Sequence, residues 1–138
     1  MDKTYIFSMQ EHMDELQVEL NGLYQIMKKR QLSRYEYRAG ERSLQILIGA
    51  CVGIAKNWCF SLTQSAPADA YSAFERLAQE KVATVEDTNW RKIIGMRNAL
   101  VHDYLNLDAE VIKTVIKQQV YKELLNFADQ GLTALANR

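Results

Sequence analysis

The sequence predicts an all-α protein: an antiparallel up-and-down bundle of four to five helices, built by residues 1–138 as a single domain. Three observations carry that prediction. The 138 residues include one proline and six glycines, too few breakers for a meander of short strands. Apolar residues recur at helical spacing along most of the chain and nowhere alternate as in a half-buried strand. The segments between the periodic runs are short, as antiparallel neighbours require. With 48% apolar and 25% charged residues, the composition is that of a folded chain large enough for one core.

The first helix is read over residues 4–30. Ile6, Met9, Met13, Leu16, Leu20, Leu23 and Met27 follow alternating spacings of three and four, which gives one face to a bundle interior. Lys28, Lys29 and Arg30 suit the negative end of that helix's dipole. Ser33 and Glu36 form a capping box that starts a second helix, read through about residue 63. Its centre, I-L-I-G-A-C-V-G-I-A (46–55), is apolar all round, as in the most buried helix of a bundle. This run, bounded by Gln45, Lys56 and Asn57, is about half the ~20 residues a membrane span needs, so no membrane association is expected. Gly49 and Gly53 lie four apart and allow close approach of a packed helix. Cys51 and Cys59 are ~12 Å apart on a helix, beyond disulfide reach. They are expected as buried small hydrophobes in a reducing compartment.

Residues 63–69, with Pro67, form a loop; Tyr71, Phe74 and Leu77 then space a short third helix, and residues 81–86 connect. Asp87 is the predicted N-cap of a fourth helix that runs to about residue 103. Asp108 caps a last helix, in which Ile112, Ile116, Val120, Leu124 and Phe127 recur to near the C-terminus.

Charge narrows the function classes. The formal net charge is zero and the pI about 6.7, so any contact with nucleic-acid phosphate must come from a local patch. The start, M-D-K-T-Y-I-F-S-M-Q, has no secretory apolar core or cleavage site, and a cytoplasmic location is expected. His12, His102, Cys51 and Cys59 show no ligand spacing, so neither a metal nor another cofactor is expected. Thiol catalysis is equally unsupported, because both cysteines lie in or near the apolar helix.

The chemistry concentrates in the fourth helix. On a helical wheel Trp90, Ile93, Ile94, Leu100 and Val101 make one apolar stripe, and Arg97 falls in its middle. A guanidinium there is costly unless it is paired or opens onto a cleft. Pairing with Glu36, Glu41 or Glu75 is the plain structural alternative. Arg91, Gly95, Asn98 and His102 follow at spacings of four, three and four to form a polar row, with Asn98 placed to orient the imidazole. Phosphodiester cleavage needs this set. A histidine ordinarily exchanges protons near neutral pH, and an arginine neutralises charge on the pentavalent transition state. No metal is required if the 2′-hydroxyl of RNA attacks. Helix geometry raises one difficulty, because five residues of rotation set Arg97 and His102 ~140° apart. They would converge through the arginine's reach, through distortion of the helix end, or across a two-fold axis; a two-fold dimer is the natural remedy, because it lines one cleft with two copies of the pair. For His102 the alternative is a helix-terminal histidine favoured by the dipole.

R-N-A-L-V-H-D-Y (97–104) resembles the R-x4-6-H signature of the HEPN superfamily and, with Tyr104, the R-x4-H-x-Y form of HepT-like toxins. Y-S-A-F-E-R-L, W-R-K-I-I-G-M and L-D-A-E-V-I extend the resemblance over most of the chain. It implies a homodimeric helical bundle acting as a metal-independent endoribonuclease toxin of a type VII-like toxin–antitoxin system. Arg97 and His102 would be the catalytic pair, with Asn98 in support. It also implies an antitoxin partner, a minimal nucleotidyltransferase of the MntA kind, that transfers AMP from ATP to Tyr104. That adds negative charge and bulk beside His102. Packing at the helix end is the alternative for Tyr104. Arg91 and Lys92 are the expected phosphate contacts. Arg34, Arg38 and Arg42 form a second basic row, read first as a solvated face. The competing functional reading is a non-catalytic module that partners a nucleotidyltransferase, with Arg97 and His102 holding the interface or binding a nucleotide.

Overall fold

Asp2 opens the first helix by accepting a hydrogen bond from the Thr4 amide at 2.8 Å, and α1 runs from Lys3 to Met27. The computed structural model describes residues 2–138. Among these it has α2 (Arg34–Thr63), α3 (Ala70–Gln79), α4 (Ala83–Glu86), α5 (Trp90–His102), a 3-10 turn (Tyr104–Asn106), α6 (Ala109–Lys117) and α7 (Tyr121–Ala136), with no strand. The all-α prediction holds. The helices number seven because the predicted last helix is two and the predicted 81–86 connection contains the single turn α4.

Long-range bonds set the directions. As α2 advances from Ser43 to Asn57, its partners on α1 recede from Glu19 (2.8 Å) to Tyr5 (3.3 Å), so the two helices are antiparallel. α7 runs with α2: the Cys51 thiol donates to the Leu124 carbonyl at 3.4 Å, and further along Gly131 lies against Ile54 and Trp58. α2 touches α1, α3, α5, α6 and α7 and is the axis of the bundle. Its buried residues include Leu44, Leu47, Ile48, Cys51, Ile54, Trp58 and Cys59. Burial also pushes the Cys51 thiol pKa up, because the thiolate cannot be solvated there.

The corner between α1 and α2 is tied by Glu36. Its carboxylate accepts two bonds from Arg30, at 2.7 and 2.9 Å, and one from the Ser33 amide at 2.8 Å, which hold its pKa at about 2. α1 therefore stops at Met27, short of the predicted residue 30, and Arg30 serves the corner rather than the helix dipole.

Other departures have local causes. Between α6 and α7, Gln119 adopts φ 56°, and the Gln119 and Val120 amides donate to Ile116 and Val115 carbonyls at 3.0 and 2.9 Å. This is a Schellman closure, usually marked by glycine; glutamine in that place carries no stop signal. α5 is capped by Asn89, which accepts from the Lys92 amide at 3.2 Å, and not by Asp87, which ends α4.

The centre of α2 is not buried on all sides. Ile46, Gly49, Ala50, Val52 and Gly53 are only half-buried, and a Cβ added at Gly49 or Gly53 meets nothing within 4 Å. These glycines do not admit another helix of this chain. The close approach occurs at Gly131, where an added Cβ would collide with Ile54 and come within 3.1 Å of the Trp58 ring. By length and composition α2 is also long and apolar enough to cross a membrane, more so than its ten-residue run suggests. Five other helices pack against it, which is the setting of a core helix.

Gly131→Ala should destabilise the protein by about 1–3 kcal/mol, because the added methyl overpacks α7 against α2. Gly22→Ala, at an exposed site with nothing within 4 Å, should stabilise it by about 0.5–1 kcal/mol. Urea unfolding of both variants checks this, and equal effects would contradict the assigned packing.

Candidate functional site at the end of helix α5

α5 is anchored at its start and free at its end. Trp90 stacks on Phe74, ring centroids 4.1 Å apart, and meets the edge of Phe127 at 4.9 Å. Ile93, Ile94, Met96 and Leu100 continue the buried stripe. Every residue from Val101 to Asn106 is exposed. Val101, expected on the stripe, is exposed because the last turn runs past the helices that cover the rest.

Arg97 is half-buried. Its Nε is sealed from solvent and has no hydrogen-bond partner, and among the described residues no carboxylate lies within ion-pair distance. The three candidate partners are engaged elsewhere: Glu36 with Arg30, Glu75 with Arg91 at 3.5 Å, and Glu41 with Tyr104 at 2.8 Å. The pairing alternative is therefore overturned. Asn98 is half-buried and His102, the last residue of the helix, is exposed. No hydrogen bond joins Asn98 to His102. Gly95, between Arg91 and Asn98 in the polar row, has open space beside it.

Tyr104 lies in the 3-10 turn two residues on, with its ring beneath the Arg38 guanidinium, 5.8 Å from the centroid. Its hydroxyl donates to Glu41, a carboxylate only 6% exposed. The bond to Glu41 raises the Tyr104 pKa, since ionisation would set two anions together; Arg38 and Arg34 oppose this in part. The Tyr37 pKa is also raised, first by burial and then by Glu41. Sequence reasoning considered Glu41 only as a partner for Arg97. A signal was present, because Tyr37, Glu41, Leu44, Ile48 and Cys51 share one helical face, which sets an acid in a core stripe.

The structure separates the basic groups. Arg91 is engaged with Glu75 and lies 5.0 Å over the Tyr71 ring. Lys92 lines a cavity with Asp87, Asp108, Glu110 and Glu123, surroundings that repel phosphate. Arg34 and Arg38, expected as a solvated face, are exposed and are the cations acting on Tyr104. Among the described residues no cluster of histidine, cysteine or carboxylate groups has the form of a metal site.

An all-α bundle that displays an Arg-x4-His pair at the free end of one helix, followed by a tyrosine, defines a protein of the HEPN class. More narrowly, the chain belongs to the HepT-like family: residues 9–130 match the family described as Ribonuclease HepT-like. The chain is also similar to an mRNA nuclease HepT from Shewanella oneidensis, 29% identical over 79 residues. That match spans 56% of this chain and 59% of the relative's length. No solved structure matches the chain.

Replacing Glu41 by Gln should lower the Tyr104 pKa, because the neighbouring negative charge is gone while an acceptor remains. Tyrosine-labelled NMR titration, with Tyr104→Phe to assign the signal, measures it; an unchanged titration would contradict the contact.

Proposed function

We propose that this chain is a metal-independent endoribonuclease and a cytoplasmic toxin, with Arg97 and His102 as its catalytic pair. The observation that carries the reading is the Arg97 guanidinium, half-buried and without a carboxylate, on the same helix as an exposed His102. A cation so placed is supplied with its counter-charge when a phosphodiester enters. In the reaction, the 2′-oxygen of RNA attacks the adjacent phosphorus, its proton is taken up, and the 5′-oxygen leaves with a proton. His102 carries that transfer, and Arg97 holds the charge that builds on the non-bridging oxygens. The products are a 2′,3′-cyclic phosphate and a 5′-hydroxyl. Messenger RNA is the substrate class suggested by the name of the relative. Asn98 sits one turn before His102; it makes no hydrogen bond to the imidazole in the free chain, and its supporting role would be taken up with RNA bound.

The ~140° between Arg97 and His102 is met by a homodimer. Support comes from the half-buried stripe of α2 with Ile46, Gly49, Ala50 and Gly53, and from Gly95 of α5, where an added Cβ at each glycine meets nothing within 4 Å. Backbones can approach closely there. The partner is a minimal nucleotidyltransferase antitoxin that places AMP on Tyr104. A phosphodiester at that oxygen occupies the space where substrate phosphate would meet Arg38 and His102. Arg34 and Arg38 are the primary RNA contacts beyond the catalytic pair; Arg91 and Lys92 contribute less because carboxylates surround them.

With a labelled RNA and purified dimer, His102→Ala should lower cleavage by about 10²–10⁴-fold and Arg97→Ala by about 10²–10³-fold. Wild-type levels of cleavage from either variant would overturn that residue's catalytic role, and no cleavage by the wild-type protein would overturn the ribonuclease reading and favour a binding module. In salt-dependent RNA binding, Arg38→Ala should reduce the slope by ~1 while Lys92→Ala leaves it nearly unchanged.

A further inference from the structure

We propose that Glu41 is the general base for adenylylation of Tyr104, so that the protein supplies the proton acceptor for its own modification. The proposal rests on the reading of Tyr104 as the acceptor of AMP. It begins from the 2.8 Å bond between the Tyr104 hydroxyl and the Glu41 carboxylate. Tyr104 is 40% exposed as a residue while Glu41 is 6% exposed, so the bond links an exposed side chain to an acid on the protein side. A general base needs this reach before anything else.

Fold stability does not account for Glu41. Among the described residues no lysine, arginine or histidine is paired with it. An unpaired buried carboxylate is a cost, and an apolar side chain of similar size would serve the core stripe better.

The contact also distinguishes among the tyrosines. Tyr35 is 87% exposed, yet its hydroxyl has no bonded acceptor. Tyr121 is buried and donates to Asn21 at 2.7 Å, and the Tyr5 oxygen meets the Asn57 amide. Tyr37 lies beside Glu41 but is half-buried. Among the described residues Tyr104 alone is an exposed tyrosine whose hydroxyl donates to a carboxylate. Arg38, over its ring, and Arg34 offset the charge of an incoming triphosphate.

The step balances. The Tyr104 oxygen attacks the α-phosphorus of ATP, its proton passes to Glu41, and the bond to pyrophosphate breaks with the electron pair leaving on pyrophosphate. Neutral Glu41 then faces the new phosphodiester without anion–anion repulsion and later returns its proton to solvent.

The test follows AMP incorporation by intact mass, using the full chain, its cognate nucleotidyltransferase and ATP. Glu41→Gln should slow transfer at pH 7 by about 10²-fold or more, with little change in KM for the protein substrate. Its rate should climb with pH where the wild-type rate is flat, as solution base takes over. Glu41→Ala supplemented with formate keeps the test independent of how well Glu41→Gln folds: formate should restore transfer to Glu41→Ala and give none to Tyr104→Phe. Transfer to Glu41→Gln at the wild-type rate, or no rescue by formate, overturns the role of Glu41. Absence of AMP on the wild-type chain, or undiminished AMP on Tyr104→Phe, overturns the Tyr104 reading and the role of Glu41 with it.

Discussion

A half-buried guanidinium without a counter-charge is the constraint around which this molecule is arranged. Arg97 sits on the stripe that packs α5 into the bundle, and its Nε is closed off without a partner. The three carboxylates that sequence position offered it each serve another group. Glu36 ties the corner between two helices, Glu75 meets Arg91, and Glu41 holds Tyr104. The fold thus keeps its acids away from Arg97. Leaving a cation partly desolvated and unpaired costs stability, and under the proposed function an incoming phosphate would return that cost as binding.

The remainder of the bundle makes this position rigid. Trp90 is clamped between Phe74 and Phe127, which fixes the start of α5 and so the azimuth of Arg97 a few turns on. The helix then runs past its supports, and the exposed stretch from Val101 to Asn106 presents His102 and Tyr104 to solvent. Rigidity on one side and access on the other are what the proposed ribonuclease site requires. Glu41 reaches the same region from α2, so the central helix of the core and the functional end of α5 are joined by one hydrogen bond.

Much of this was legible in the residues. The helical class, the α1 seam, the capping box at Ser33 and the placement of Arg97 against the core all follow from spacing, because burial imposes a period on apolar positions. Boundaries failed where a residue did not announce its role. Gln119 ends a helix in a place that glycine usually takes, and Asn89 rather than Asp87 provides the cap. Phase alone could not show that Gly49 and Gly53 face open space while Gly131 meets Ile54, since that depends on which helices lie alongside. Glu41 was visible as an acid in an apolar stripe, but its partner was sixty-three positions away, a contact made only by the tertiary fold.

A single α5 sets Arg97 and His102 ~140° apart, and the proposed homodimer would bring the two together from different chains. Mixing Arg97→Ala and His102→Ala chains, with mass spectrometry of the intact complex to confirm the mixed dimer, isolates this point. The mixed dimer has one intact guanidinium and one intact imidazole on opposite protomers, and RNA cleavage should return to a substantial fraction of the wild-type rate although each parent dimer is inactive. A confirmed mixed dimer that remains as inactive as its parents would contradict the claim that the two chains share one site.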